Sequence, residues 1–303
     1  MPSREERNIM TETRQQLEEV TIRFAGDSGD GMQLAGTQFT NTAATMGNDL
    51  STLPDYPAEI RAPLGTPNGV SGFQIHFGSV EINTPGDFCD VLVAMNAAAL
   101  KVNIQWLVKG GAIIANIEGF TDKNLRLAGY TSNPLDDGSL SEYQVFPVDI
   151  TKLTELALQE MNLSSKLVDR SKNFFALGMM YWMYNLPMET TLHWINEKFG
   201  KKPDIRDANT RVLKAGWNYS ETAEIFKVRY EVAPAKLTPG HYRNMTGNQA
   251  SAWGLMVAAK KANLELFLGS YPITPASEIL HELSMHKNFG VKTFQAEDEI
   301  AGI

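Results

Sequence analysis

Apolar side chains first fall into a two-residue rhythm at positions 20–25, VTIRFA, where β-branched and aromatic residues alternate with others and predict a strand. GDSGDG at 26–31 breaks that rhythm. The next stretch, MQLAGTQFTNTAATMG, carries apolar and small residues at helical spacing and predicts a helix closing at Gly47. Further apolar runs predict strands at 70–77, 90–95 and 111–117. Strands alternating with helical stretches imply an α/β domain with a largely parallel sheet.

From 164 to 199 the period becomes helical, with KNFFALGMMYWMYNL rich in methionine and aromatics and a break at Pro187. Such a stripe is core or subunit interface rather than a cofactor box. A further helix is expected over 207–230. VAPAKLTPG, 232–240, holds two prolines, ends in glycine and reads as a linker. The alternation then restarts: GNQASAWGLMVAAKKAN as helix, LELFL as strand, YPITPASEILHELS as loop and helix, VKTFQ as strand, and AEDEIAGI opening another helix. Thr274 suits an N-cap, Pro275 the first helical position and Glu278 the positive first turn. Residues 1–18 read as a frayed or weakly helical extension. The division expected is 1–18 extension, 19–231 first α/β domain, 232–240 linker and 241–303 second domain. About sixty residues with an unfinished sheet bury too little for a core of their own, so the second domain reads as truncated.

Composition narrows the classes. With 303 residues, 43% hydrophobic and 20% charged, the chain has material for about two domains. It lacks a run of 18 or more apolar residues, and its opening, MPSREERNIMTETRQQLEEV, has no apolar stretch of the kind a signal peptide needs, so a cytoplasmic location is expected. A formal charge of −8 disfavours nucleic acid and anionic membrane as main partners. A single cysteine, Cys89, excludes a disulfide framework and a four-thiolate iron–sulfur cluster built from this chain alone.

A glycine loop between strand and helix brings backbone N–H groups and a helix dipole onto an anion. Gly26, Gly29 and Gly31 have the wrong spacing for a dinucleotide, and Asp27 and Asp30 would set negative charge beside a pyrophosphate, so NAD and FAD are disfavoured. A tight turn at positive φ with the aspartates capping it is as good a reading as a ligand or subunit contact. Arg61, in a loop bounded by prolines and glycines, suits either an anion or a neighbouring acid. Glu297, Asp298 and Glu299 by themselves suit an acidic helix N-terminus.

YPITP at 271–275 and QAEDEIAGI at 295–303 resemble the pyrimidine-binding domain of the 2-oxoacid:ferredoxin oxidoreductase family. FAGDSGDGMQLAGTQF, DLSTLPDYPAEIRAP and FLGSYPITPASEIL are similar to alpha subunits of its 2-oxoglutarate branch, in which a gamma-type domain is fused ahead of the alpha domain. The resemblance covers nearly the whole chain from Val20. In related gamma domains the glycine loop has three closely spaced glycines and a glutamine, whereas Ser28 and Asp30 stand here. The resemblance implies a Rossmann-like gamma domain followed by the start of a thiamine-diphosphate pyrimidine-binding α/β domain. It implies oxidative decarboxylation of a 2-oxoacid, 2-oxoglutarate or alternatively pyruvate, with coenzyme A, giving acyl-CoA, carbon dioxide and reduced ferredoxin. It also implies a beta subunit holding the diphosphate, Mg2+ and an iron–sulfur cluster, with no metal on this chain; the GDG at 29–31 lies in the wrong domain for that site. Glu299 takes the role of the glutamate hydrogen-bonded to the aminopyrimidine ring, and burial beside Ile300, Ala301 and Ile303 is expected to desolvate it in part. The resemblance likewise implies that Thr274 lies near the substrate carboxylate and that Tyr271 and Ile273 shape the pocket. Gly26, Gly29, Gly31 and Arg61 are the candidate coenzyme A or interface loop. The competing reading is a non-catalytic docking module.

Overall fold

A computed structural model of the chain describes residues 13–57 and 62–303. Two units meet in sequence between Thr238 and Pro239. The first contains β1 (Thr13–Leu17), β2 (Glu19–Asp27), α1 (Met32–Thr45), β3 (Asp49–Asp55), β4 (Val70–Gly78), β5 (Cys89–Ala94), α2 (Ala97–Asn103), β6 (Leu107–Asn116), α3 (Asp122–Leu127), β7 (Gln144–Val148), α4 (Ile150–Leu158), α5 (Ser165–Met183), α6 (Glu189–Phe199), α7 (Pro203–Thr222) and β8 (Val228–Val232).

Six strands form one sheet in the order β3-β4-β2-β5-β6-β7. β2, β5, β6 and β7 run parallel, while β4 pairs antiparallel to both β2 and β3. Successive side chains on a strand face opposite ways, and both faces are buried. Val91 and Val93 join the cluster with Phe39 of α1 and the buried face of α5. Leu92 and Ala94 join the opposite cluster with Leu100 of α2 and Leu125 of α3. The fold class is therefore the expected α/β with a parallel-rich sheet. The methionine–aromatic stripe is core: Phe174, Phe175, Met179, Met180, Tyr181 and Met183 are all buried. Arg23, buried on β2, has its guanidinium satisfied by Asn103 (2.5 Å), Gln74 (3.1 Å) and an ion pair with Asp55.

Several expectations are corrected. Of the supposed N-terminal extension, the described part from Thr13 to Leu17 is a strand paired parallel with β8. The helix expected over 207–230 starts earlier, at Pro203, and ends at Thr222. Glu224 at φ 50 breaks it, and Val228 to Val232 is strand. β3 and β7 went unread. Each contains a proline, Pro54 or Pro147, and each lies at a sheet edge, where a missing N–H is tolerated. The start of the proline-rich linker is tied to the first unit, because the Asn48 amide donates to the carbonyls of Val232 (3.3 Å) and Ala233 (2.8 Å) and the Ala235 N–H donates to the Gly47 carbonyl (2.9 Å).

The second unit holds α8 (Gly247–Ala262), β9 (Phe267–Ser270), α9 (Ser277–Ser284), β10 (Lys292–Gln295) and α10 (Glu299–Gly302). α8 opens with a capping box between Thr246 and Gln249. Its small core comprises Ala252, Leu283 and Val291, with Leu266, Leu268 and Ile279 packed around them.

Candidate functional site

β9 and β10 pair in parallel, Phe267 opposite Lys292 through Ser270 opposite Gln295. Parallel pairing sends both chains out of the same sheet edge, so the YPITP loop and the AEDE turn emerge side by side, where α/β sheets place their ligands. The Ala296 N–H extends the ladder by donating to the Ser270 carbonyl at 2.7 Å. Asp298 caps α10 through its side chain, which accepts from the Ala301 N–H at 2.8 Å. α10 lies close over β9, because a Cβ on Gly269 would stand 2.5 Å from the Gly302 carbonyl oxygen. These constraints bring Glu299 to Tyr271. Interaction with the neighbouring Glu299 carboxylate, together with burial, pushes the Tyr271 phenol above its ordinary value.

Two expectations fail here. Glu299 is exposed, and Ile300 and Ile303 are exposed beside it, so the structure supplies no desolvating wall around the carboxylate. Thr274 is not an N-cap: α9 begins at Ser277, and the turn is closed by the Ser277 side chain, which meets both the N–H and the carbonyl of Ile273 at 2.9 Å. Ile273 and Thr274 are exposed on this turn. Asn248, unremarked in the sequence, steadies it by donating to the Pro275 carbonyl (3.2 Å) and to Glu278 (2.9 Å). Its only signal was a place in the first turn of a capped helix.

The glycine loop is closed on itself. The Asp27 N–H donates to the Asp30 carboxylate (2.8 Å), the Asp30 N–H to the Asp27 carbonyl (2.9 Å), and the Gly65 N–H to the Asp27 carboxylate (2.9 Å). Gly31 sits at φ 74, the left-handed region, with the Asn173 amide against its carbonyl, and a Cβ on Gly26 would strike Asp30. The exposed part of the turn is Ser28 and Gly29. Arg61 lies outside the described residues. Burial and the charge of Asp30 push the Asp27 carboxyl above its usual range, against Gly65, Asn96 and Lys172, which pull it down. Lys172 forms ion pairs with Asp30 (2.9 Å) and Asp169 (3.0 Å). Burial acts to lower its ammonium, but the two carboxylates outweigh it and hold the group above its ordinary value. Lys172 also lines a cleft of about 340 Å³ between α4 and α5, with Thr151, Glu155, Ser165 and Asp169.

Residues 21–219 match the family profile described as pyruvate ferredoxin/flavodoxin oxidoreductase. The chain belongs to this family. Within the oxidoreductase family, the 2-oxoglutarate oxidoreductase subunit KorA of Mycobacterium tuberculosis is 58% identical over 290 residues, covering 96% of this chain and 44% of the relative. The 2-oxoacid:ferredoxin oxidoreductase subunit alpha of a Sulfolobus species is 22% identical over 311 residues, covering 92% of this chain and 46% of that one. The chain thus spans less than half the length of these curated relatives. A solved structure of the 2-oxoglutarate:ferredoxin oxidoreductase from Magnetococcus marinus, with 2-oxoglutarate, coenzyme A and succinyl-CoA bound, superposes with a TM-score of 0.69 at 27% identity, covering 94% of this chain and 44% of that one. The resemblance carried by YPITP and AEDE is borne out at the level of family and subunit type. Among the described residues, no helix is long and apolar enough to cross a membrane.

Proposed function

We propose that this chain forms part of the alpha subunit of a 2-oxoglutarate:ferredoxin oxidoreductase and supplies the pyrimidine side of a thiamine diphosphate site. The supporting observation is the convergence of Tyr271 and Glu299 at one edge of the β9–β10 sheet. An exposed carboxylate at the first position of a capped helix is open to a hydrogen bond from a ring nitrogen, so these residues fit the pyrimidine end of the cofactor. When bound, thiamine diphosphate supplies the carbanion-stabilising chemistry that decarboxylation of a 2-oxoacid requires. Glu299 would hold the ring and share a proton with it, and the turn carrying Ile273 and Thr274 would line the 2-oxoacid site. In the overall reaction the acyl group passes to the thiol of coenzyme A, carbon dioxide leaves, and two electrons pass to ferredoxin.

The diphosphate, Mg2+ and iron–sulfur cluster are assigned to a beta subunit. Gly26, Gly29, Gly31 and Arg61 are assigned to a coenzyme A or subunit contact, and Gly29 is exposed on its turn. The test is co-expression of the full-length alpha subunit with its beta partner, followed by 2-oxoglutarate-dependent reduction of a low-potential dye. Glu299→Gln should lower kcat about a hundredfold or more, the scale of a lost proton-transfer group. A rate equal to that of the unaltered complex removes the catalytic assignment.

A further inference from the structure

The turn that carries Ile273 and Thr274 is held from two directions. Ser277 closes it locally, its hydroxyl meeting the N–H and the carbonyl of Ile273 at 2.9 Å, and this fixes the shape of the turn. Its place is fixed from another helix: the Asn248 side chain on α8 donates to the Pro275 carbonyl at 3.2 Å and to the Glu278 carboxylate at 2.9 Å. α8 is a firm attachment, since the Thr246–Gln249 capping box closes its first turn, Ala252 is buried in the core of the unit, and the Trp253 indole N–H donates to Glu282 at 2.6 Å. Asn248 meets Glu278 and Trp253 meets Glu282 about one turn further on, so α8 and α9 run in the same direction with their N-termini side by side. We propose that Asn248 is a positioning residue for the 2-oxoacid, whose amide holds the 271–275 turn where Ile273 and Thr274 receive the substrate.

The proposal rests on the role given above to Ile273 and Thr274. Both residues are exposed, and an untethered turn would have to give up its freedom when the substrate arrives, at the expense of affinity. The chemistry of the side chain matters because both of its partners only accept. A carbonyl oxygen and a carboxylate face the amide nitrogen, whose two N–H groups serve one each. Asn248→Asp keeps nearly the same shape but offers no donor when ionised, and it sets a second negative charge against Glu278. Combining it with Glu278→Gln exchanges donor and acceptor and rebuilds a hydrogen bond between the two helices.

The test uses the complete alpha–beta complex and 2-oxoglutarate-dependent reduction of the dye. Asn248→Asp should raise KM for 2-oxoglutarate about tenfold, the scale of one net hydrogen bond, and leave kcat within about twofold, the pattern of lost uniform binding. Asn248→Ala, which removes the tether without adding charge, should raise KM by a smaller factor. Adding Glu278→Gln to Asn248→Asp should bring KM back toward the unaltered value, whereas Glu278→Gln alone should not lower it; a general loss of stability gives no such pairwise rescue. An unchanged KM in both Asn248 variants, a loss confined to kcat, or a double variant no better than Asn248→Asp would each overturn the positioning role. Failure of the Asn248→Ala chain to assemble with the beta subunit would overturn it too, because the residue would then be structural. If Glu299→Gln abolishes turnover while the Asn248 variants keep the unaltered KM, the positioning role alone falls. If the unaltered complex does not turn over 2-oxoglutarate, the proposed function falls, and the positioning role with it.

Discussion

Gly178 on α5 and Gly216 on α7 mark the place where two helices touch backbone to backbone. A Cβ built on Gly178 would stand 2.1 Å from the Leu213 carbonyl oxygen and 2.8 Å from the Trp217 nitrogen, and one on Gly216 would stand 2.1 Å from the Phe175 carbonyl oxygen. The obstacles are main-chain atoms, which cannot rotate aside. A carbon normally rests about 3.3 Å from a carbonyl oxygen, so Gly178→Ala forces α5 and α7 apart by about 1 Å. A gap of that size forfeits about a quarter to a half of each dispersion contact across the crossing. Phe174, Phe175, Leu177, Val212 and Leu213, all buried, lie along it. Overpacking of this kind costs about 3 kcal/mol, and the better helix propensity of alanine returns about 1 kcal/mol. The net loss is about 2 kcal/mol, or a fall of about 4–8 °C in Tm for a unit of this size.

Urea unfolding followed by far-ultraviolet circular dichroism measures that loss. Gly254→Ala on α8, where an added Cβ meets nothing within 4 Å, is the control; it keeps the propensity gain without the clash and should stabilise its own unit. A Gly178→Ala chain whose urea midpoint equals or exceeds that of the parent would refute the reasoning.

Two further expectations concern titrating groups. Burial pushes the Cys89 thiol up to about 12, with Arg23 opposing and Asp90 reinforcing the shift. The native chain should therefore resist a disulfide reagent at mildly alkaline pH and release one reactive thiol on unfolding; labelling at the unfolded rate without denaturant would contradict this. The Asp27 carboxyl has its folded-state pKa raised by burial and by Asp30, so its contribution favours folding below the unfolded pKa and is lost as pH rises through the folded value. At neutral pH the charge is a net cost. Asp27→Asn keeps an acceptor for the Gly65 N–H and should raise the urea midpoint at neutral pH, with the gain fading in acid. A gain of equal size at both pH values would show that the charge is not the cause.

Central strands and long helices are legible in the sequence because their causes are local. β2, β4 and β5 are buried on both faces, β2 reading as an alternating strand and β4 and β5 as apolar runs, and α5 carries its core stripe in consecutive turns. The motifs YPITP and AEDE likewise announced the family without coordinates. Edge strands and pairings are another matter. β8 is a strand because β1 pairs with it, a contact between residues 215 positions apart at Gln16 and Glu231, and no local pattern separates it from the end of α7. β3 and β7 carry prolines that argue against strand until their edge position is known.

The same division holds at the candidate site. Residue types were readable, but the meeting of Tyr271 with Glu299 depends on the parallel register of β9 and β10, and the exposure of Glu299 depends on what surrounds the turn rather than on the apolar residues next to it in sequence. Periodicity and motifs express short-range sterics and the burial of one face, so sequence alone determined the central elements and the family. Only the tertiary structure decided which distant residues stand within hydrogen-bond reach, because that follows from strand pairing and close helix approach, interactions that bring together positions with no fixed spacing along the chain.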